Sequence, residues 1–246
     1  MTEPDEALRL LVVSSSNTCR SPMAAALLNQ AIGRAQVPAV VDSAGLESGG
    51  RQPHAHAALA LQQYGLTIEH VRSRQLSRSL LAVHDVVLTM TRAEACAVIE
   101  VLHDAKPRTF TIGWLANARL SPRSLGPDDV QDWTDRLDRQ RPASALLGHG
   151  RDEIAPPDRR SSVTYADAAG RLARYAGSIA ELLGQACSQS AASVGSDRRI
   201  SEDLSPSEMI RAKRRGGLGW VEPDPSGRRP FTVEVRSPGS RRPTDD

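Results

Sequence analysis

Between Val12 and Pro22 the chain reads Val-Val-Ser-Ser-Ser-Asn-Thr-Cys-Arg-Ser-Pro, a run of hydroxyls and one amide leading into a single arginine. Leu10 to Val13 is continuously apolar, as in a strand buried on both faces; Ser21 can N-cap a helix with Pro22 at its first position, where the missing N–H costs nothing. A loop wrapped around a helix N-terminus aims backbone N–H groups into one concavity, and the helix dipole adds positive potential, so a phosphate-sized anion is favoured there. Arg20 adds a permanently charged planar fork that can hold two phosphate oxygens at once. Ser15, Ser16, Asn17, Thr18, Cys19, Arg20 and Ser21 are therefore the expected phosphate-binding residues. The pattern alone leaves open a Ser/Asn turn that merely caps the helix.

The other reactive side chains are scattered. Cys19, Cys96 and Cys187 are too few and too far apart for a disulfide scaffold or a closed zinc site, which makes a cytoplasmic location the default expectation. His54, His56 and His70 lack acidic or cysteine companions at ligand spacing and read as surface or supporting histidines. No metal and no cofactor is expected.

Elements that could position the loop follow in a βαβα rhythm. A helix from Met23 to Ala35 is followed by a strand over Ala39 to Asp42 and a helix from about His54 to Tyr64 that ends at Gly65. Asp85 to Met90 reads as a strand, Arg92 to Val101 as a helix, and Thr109 to Ile112 as a shorter strand. From Tyr165 to Leu183 apolar residues recur every three or four positions, the stripe of a closing amphipathic helix that Gly184 is expected to end. Strands alternating with helices predict an α/β fold, a parallel sheet with helices on both faces.

Two stretches break the rhythm. About 118–152 reads as an irregular surface insertion with one helical patch, Val130 to Leu137. The predicted domain covers 1–187, and 188–246, rich in Ser, Gly, Pro and Arg, reads as a disordered tail. There is no apolar run of membrane-spanning length, and the first residues are acidic, so neither a membrane span nor a secretory signal is predicted. The formal net charge of +2 gives no clear sign of a nucleic-acid partner.

The loop resembles that of the low-molecular-weight protein tyrosine phosphatases, Cys-x-Gly-Asn-x-Cys-Arg-Ser. Further landmarks of that family stand in order: Asp42-Ser43-Ala44-Gly45, Tyr64-Gly65, Arg72-Ser73-Arg74-Gln75-Leu76, Asp85 to Thr91, and Arg108-Thr109-Phe110-Thr111. The resemblance covers about Leu10 to Leu183 outside the insertion and is greatest to bacterial members associated with polysaccharide export. It implies a three-layer sandwich with a central four-stranded parallel sheet, and a phosphate- or phosphotyrosine-bearing protein as partner. It also implies that Asn17 holds the loop open, that Ser21 bonds the nucleophile, and that Asp85 and Arg72 are framework residues.

Two departures bear on activity. Ser14 stands where the family has its nucleophilic cysteine, six residues before Arg20, and Ser16 where it has a loop glycine, a replacement expected to cost about 1 kcal/mol if the backbone needs a glycine conformation. The family's chemistry needs a thiolate, available from a thiol with a reference pKa of about 8.5, and a serine hydroxyl is far less acidic. The family's general acid is an aspartate in an Asp-Pro pair before the last helix; Pro156 falls in that place, which leaves Asp158, or else Asp152, as a weak substitute. The expectation is a catalytically impaired phosphatase that binds phosphate or phosphotyrosine through Arg20. The alternatives are an active phosphatase working by a non-cysteine route and a structural partner-binding module.

Overall fold

The computed structural model describes residues 7–47, 49–119, 130–146 and 150–194. Strand β1 (Leu8–Ser14) leads through the serine-rich loop into helix α1 (Arg20–Arg34), and β2 (Ala39–Gly45) follows. Next come α2 (Ala55–Gln62), α3 (Arg78–Ala82), β3 (Val86–Thr89), α4 (Arg92–Val101) and β4 (Thr109–Thr111). Helices α5 (Ile112–Ala116), α6 (Val130–Gln140) and α7 (Ser162–Val194) complete the described chain.

The four strands form one parallel sheet in the order β2-β1-β3-β4. β1 is buried on both faces because its side chains alternate between two apolar clusters. Leu10 and Val12 join Met23 and Leu28 of α1 and Leu172 and Ile179 of α7, whereas Leu11 and Val13 join Leu81 of α3 and Val98 of α4. The result is the three-layer sandwich. Its register sets Ser14 beside Gly45 and Val13 beside Thr89, so the carboxyl ends of the central strands, and the loops they feed, meet at one edge.

Several local expectations change. α1 starts at Arg20, so Ser21 lies inside the helix instead of capping it; its hydroxyl donates to the Ala44 carbonyl at 3.3 Å. Gly184 does not end α7, because Ala186 beyond it is still buried against the core and the helix continues to Val194. That continuation also takes the first residues of the expected tail; from residue 195 on, the tail lies outside the described residues. The 118–152 stretch is more than a surface insertion: α6 buries Trp133 and Leu137 in the main core. Among the described residues no helix is long and apolar enough to cross a membrane.

Candidate phosphate-binding site

The loop leaves β1 at Ser14, a buried residue whose hydroxyl lies 2.7 Å from the Ser21 hydroxyl. Asn17 makes the tight turn. Its φ of 51° is left-handed, a conformation Asn tolerates better than most residues, and its side chain fastens three neighbours. Asn17 Nδ2 donates to the Ser21 and Ser43 hydroxyls, both at 2.9 Å, and Oδ1 accepts from the Arg74 N–H at 2.8 Å. The strained position is therefore Asn17, not Ser16, which stays outside the positive-φ region and bonds the Thr18 hydroxyl at 2.8 Å. Gly45 answers the loop from β2: a Cβ there would sit 2.9 Å from Asn17 and from the Ser16 backbone.

These contacts fix a loop whose N–H groups at residues 16–20 donate to no protein acceptor among the described residues, next to the N-terminus of α1. Arg20 is buried, and both terminal nitrogens of its guanidinium are engaged. Nη1 donates to the Ile154 carbonyl at 3.1 Å, and Nη2 to the Ser15 hydroxyl at 3.3 Å and to Glu94 Oε1 at 2.9 Å. Glu94 is equally buried, so the pair is an internal ion pair. The sequence reading missed this residue. Its signal was Thr91-Arg92-Ala93-Glu94, a capping box at the start of α4, in which the Thr91 hydroxyl accepts from the Glu94 N–H at 3.2 Å.

The segment expected to supply a general acid is arranged otherwise. Asp152 pairs with Arg92 at 3.0 Å and accepts from the Thr111 hydroxyl at 2.9 Å. Asp158 is exposed and accepts from the Arg160 N–H at 3.0 Å; among the described residues it bonds neither Ser14 nor Arg20. Pro156 is exposed in the same segment, which reaches the site through the Ile154 carbonyl on Arg20.

His54 stacks on Tyr165, with ring centroids 4.9 Å apart, and His56 meets both rings edge-on. The His54 N–H also donates to the Thr18 carbonyl at 2.8 Å, so this cluster props the loop from outside. Desolvation, and then the His56 and Arg159 charges, lower the His54 pKa below its usual value. Burial pushes the Cys19 thiol up to about 12 against a weaker pull from Arg20, which leaves it protonated at neutral pH. No group of three or more His, Cys, Asp or Glu among the described residues is placed to hold a metal ion. Asp85 accepts from the Arg9 N–H at 2.8 Å, and Arg72 donates within its own exposed turn to the carbonyls of Glu69 and Val71.

The sequence pattern of a family described as low molecular weight phosphotyrosine protein phosphatase matches residues 9–119. A protein-arginine-phosphatase of Geobacillus stearothermophilus is 40% identical over 106 residues, covering 42% of this chain and 68% of the relative. Wzb of Salmonella typhi, a low molecular weight protein-tyrosine-phosphatase, is 30% identical over 115 residues, covering 46% of this chain and 74% of the relative. Among solved structures, a Cys-to-Ser mutant of the YwlE arginine phosphatase with a phosphorylated active-site serine superposes with a TM-score of 0.55 at 22% identity, over 79% of this chain and all of that one.

Proposed function

Because the chain belongs to the low-molecular-weight phosphotyrosine protein phosphatase family, we propose that it keeps the family's phosphoryl-binding half and has lost its hydrolytic half. The observation that carries this reading is Ser14. A buried hydroxyl stands at the nucleophile's position, bonded to another hydroxyl and to no imidazole or carboxylate among the described residues, so nothing there takes its proton. The committed contacts of Asp152 and the exposed position of Asp158 point the same way. Once a phosphoserine has formed, its alkoxide is also a poorer leaving group from phosphorus than a cysteine thiolate.

The missing acid bears on substrate class. A phosphotyrosyl oxygen needs a proton delivered as it leaves, whereas the nitrogen of a phosphoarginyl group is basic enough to take one itself. The 40% identity to a protein-arginine-phosphatase supports the same preference. The proposed limit of the chemistry is one transfer: the Ser14 Oγ–P bond forms as the substrate's P–N bond breaks, the hydroxyl proton goes to the departing guanidine, and the phosphoserine stays. Intact-mass spectrometry of the full chain after incubation with phosphoarginyl or phosphotyrosyl peptide tests this. The expected result is at most one retained phosphoryl group, from the phosphoarginyl donor and absent in Ser14→Ala. Repeated turnover of either donor would contradict the proposal.

A further inference from the structure

The carboxylate of Glu94 takes the donors that a bound oxyanion would use. Its Oε1 accepts from the Ser15 N–H at 2.7 Å, the Ser15 hydroxyl at 2.8 Å and Arg20 Nη2 at 2.9 Å. Its Oε2 accepts from the Thr91 N–H and hydroxyl, both at 3.1 Å, and lies 3.5 Å from Arg20 Nη1. Capping α4 requires only the second oxygen. The first is spent on the loop, and both partners of the ion pair are almost completely buried.

Charge decides the consequence. Arg20 is the one cation whose guanidinium reaches the loop residues among the described hydrogen bonds, and Glu94 cancels it. A phosphate dianion brought against Arg20 with Glu94 in place would set two anions against one cation in a buried setting, where like-charge repulsion is weakly screened. The free N–H groups of residues 16–20 offer an incoming anion its first donors, so the contest is confined to the Ser15 and Arg20 donors.

We infer that Glu94 is an internal anion seated in the Arg20 cradle, and that a phosphoryl group gains the guanidinium only when Glu94 gives it up. This rests on the reading of the loop as a phosphoryl-binding site and adds its control: a tethered carboxylate sets the threshold for entry. The ligand class is inorganic phosphate or a phosphorylated side chain, because both present the same oxygens to the same donors.

The test is calorimetric titration of the full chain with inorganic phosphate, alongside thermal unfolding in rising phosphate. Glu94→Gln keeps the size and removes the charge, and is expected to tighten phosphate binding by roughly tenfold or more. Its Tm should climb with phosphate concentration more steeply than that of the unaltered protein. Adding Arg20→Ala to Glu94→Gln should abolish the gain. If the glutamine variant does not fold, Glu94→Asp keeps the charge but draws it back by one methylene from the Ser15 and Arg20 donors, and should bind phosphate more tightly than the unaltered chain by a smaller factor than the glutamine. Equal affinity in unaltered and altered chains would overturn the inference while leaving the cradle reading intact. Absence of binding in every folded variant would overturn both.

Discussion

The two sides of the candidate site are built differently. The loop side, residues 14–20, is held by Asn17, Gly45, Ser43 and the Arg74 N–H in a turn that leaves its N–H groups available. The facing segment, 150–161, keeps its place through the Ile154 carbonyl on Arg20, but its carboxylates serve structure: Asp152 clamps Arg92 and Thr111, and Asp158 closes a local turn. Anion binding and proton transfer are separable properties of one cleft. The first depends on backbone geometry that many residue contacts over-determine, whereas the second depends on single side chains that one substitution removes.

The sharpest way to break this comparison is to rebuild the second side. Ser14→Cys alone should give weak hydrolysis of an aryl phosphate, and Ser14→Cys with Pro156→Asp should raise the rate by roughly a hundredfold. Equal rates in the single and double variants would place the missing proton elsewhere. On the loop side, Arg20→Ala strands the Glu94 carboxylate in a buried site, so urea unfolding should show a loss of about 3–5 kcal/mol. A loss below about 1 kcal/mol would mean that the pair is readily replaced by solvent.

Between the two sides in sequence lies α6. Leu137 is fully buried in the main core, and Leu137→Ala should cost about 3 kcal/mol by the same measurement. A cost of a few tenths, as for an exposed residue, would return α6 to the surface. The effect that vanishes near neutral pH concerns Cys19. Its folded pKa is raised from 9.0 to about 12, so the unfolded chain ionises first, and the stability this thiol contributes is complete below about pH 9 and is lost as pH rises towards 12. Cys19→Ser should flatten that part of the stability–pH curve relative to the unaltered chain; superimposable slopes would contradict it.

What the sequence disclosed divides along the same physical line. The sheet was legible because β1 and β3 are short apolar runs ending in polar loops, and Arg92 to Val101 was legible as a helix from its residues alone. The ends of α1 and α7 were not. Ser21 has the residue type of a cap but is drawn inward by Ala44, Asn17 and Ser14, and Gly184 is carried through by the packing of Ala186. Tertiary contacts overrode local propensity at both places. Within the site, Ser14, Asn17 and Arg20 stood out in one contiguous motif. Glu94 did not, because its part in the cradle depends on a contact across 74 positions of sequence that a capping-box pattern does not reveal.

The central claim is that the cradle holds a phosphoryl group without turning it over. Its most direct test is the release of inorganic phosphate by the full chain and by Ser14→Ala from excess phosphoarginyl and phosphotyrosyl protein. The account predicts that neither chain liberates phosphate above the uncatalysed rate. Release of many equivalents per chain that disappears in Ser14→Ala would contradict it.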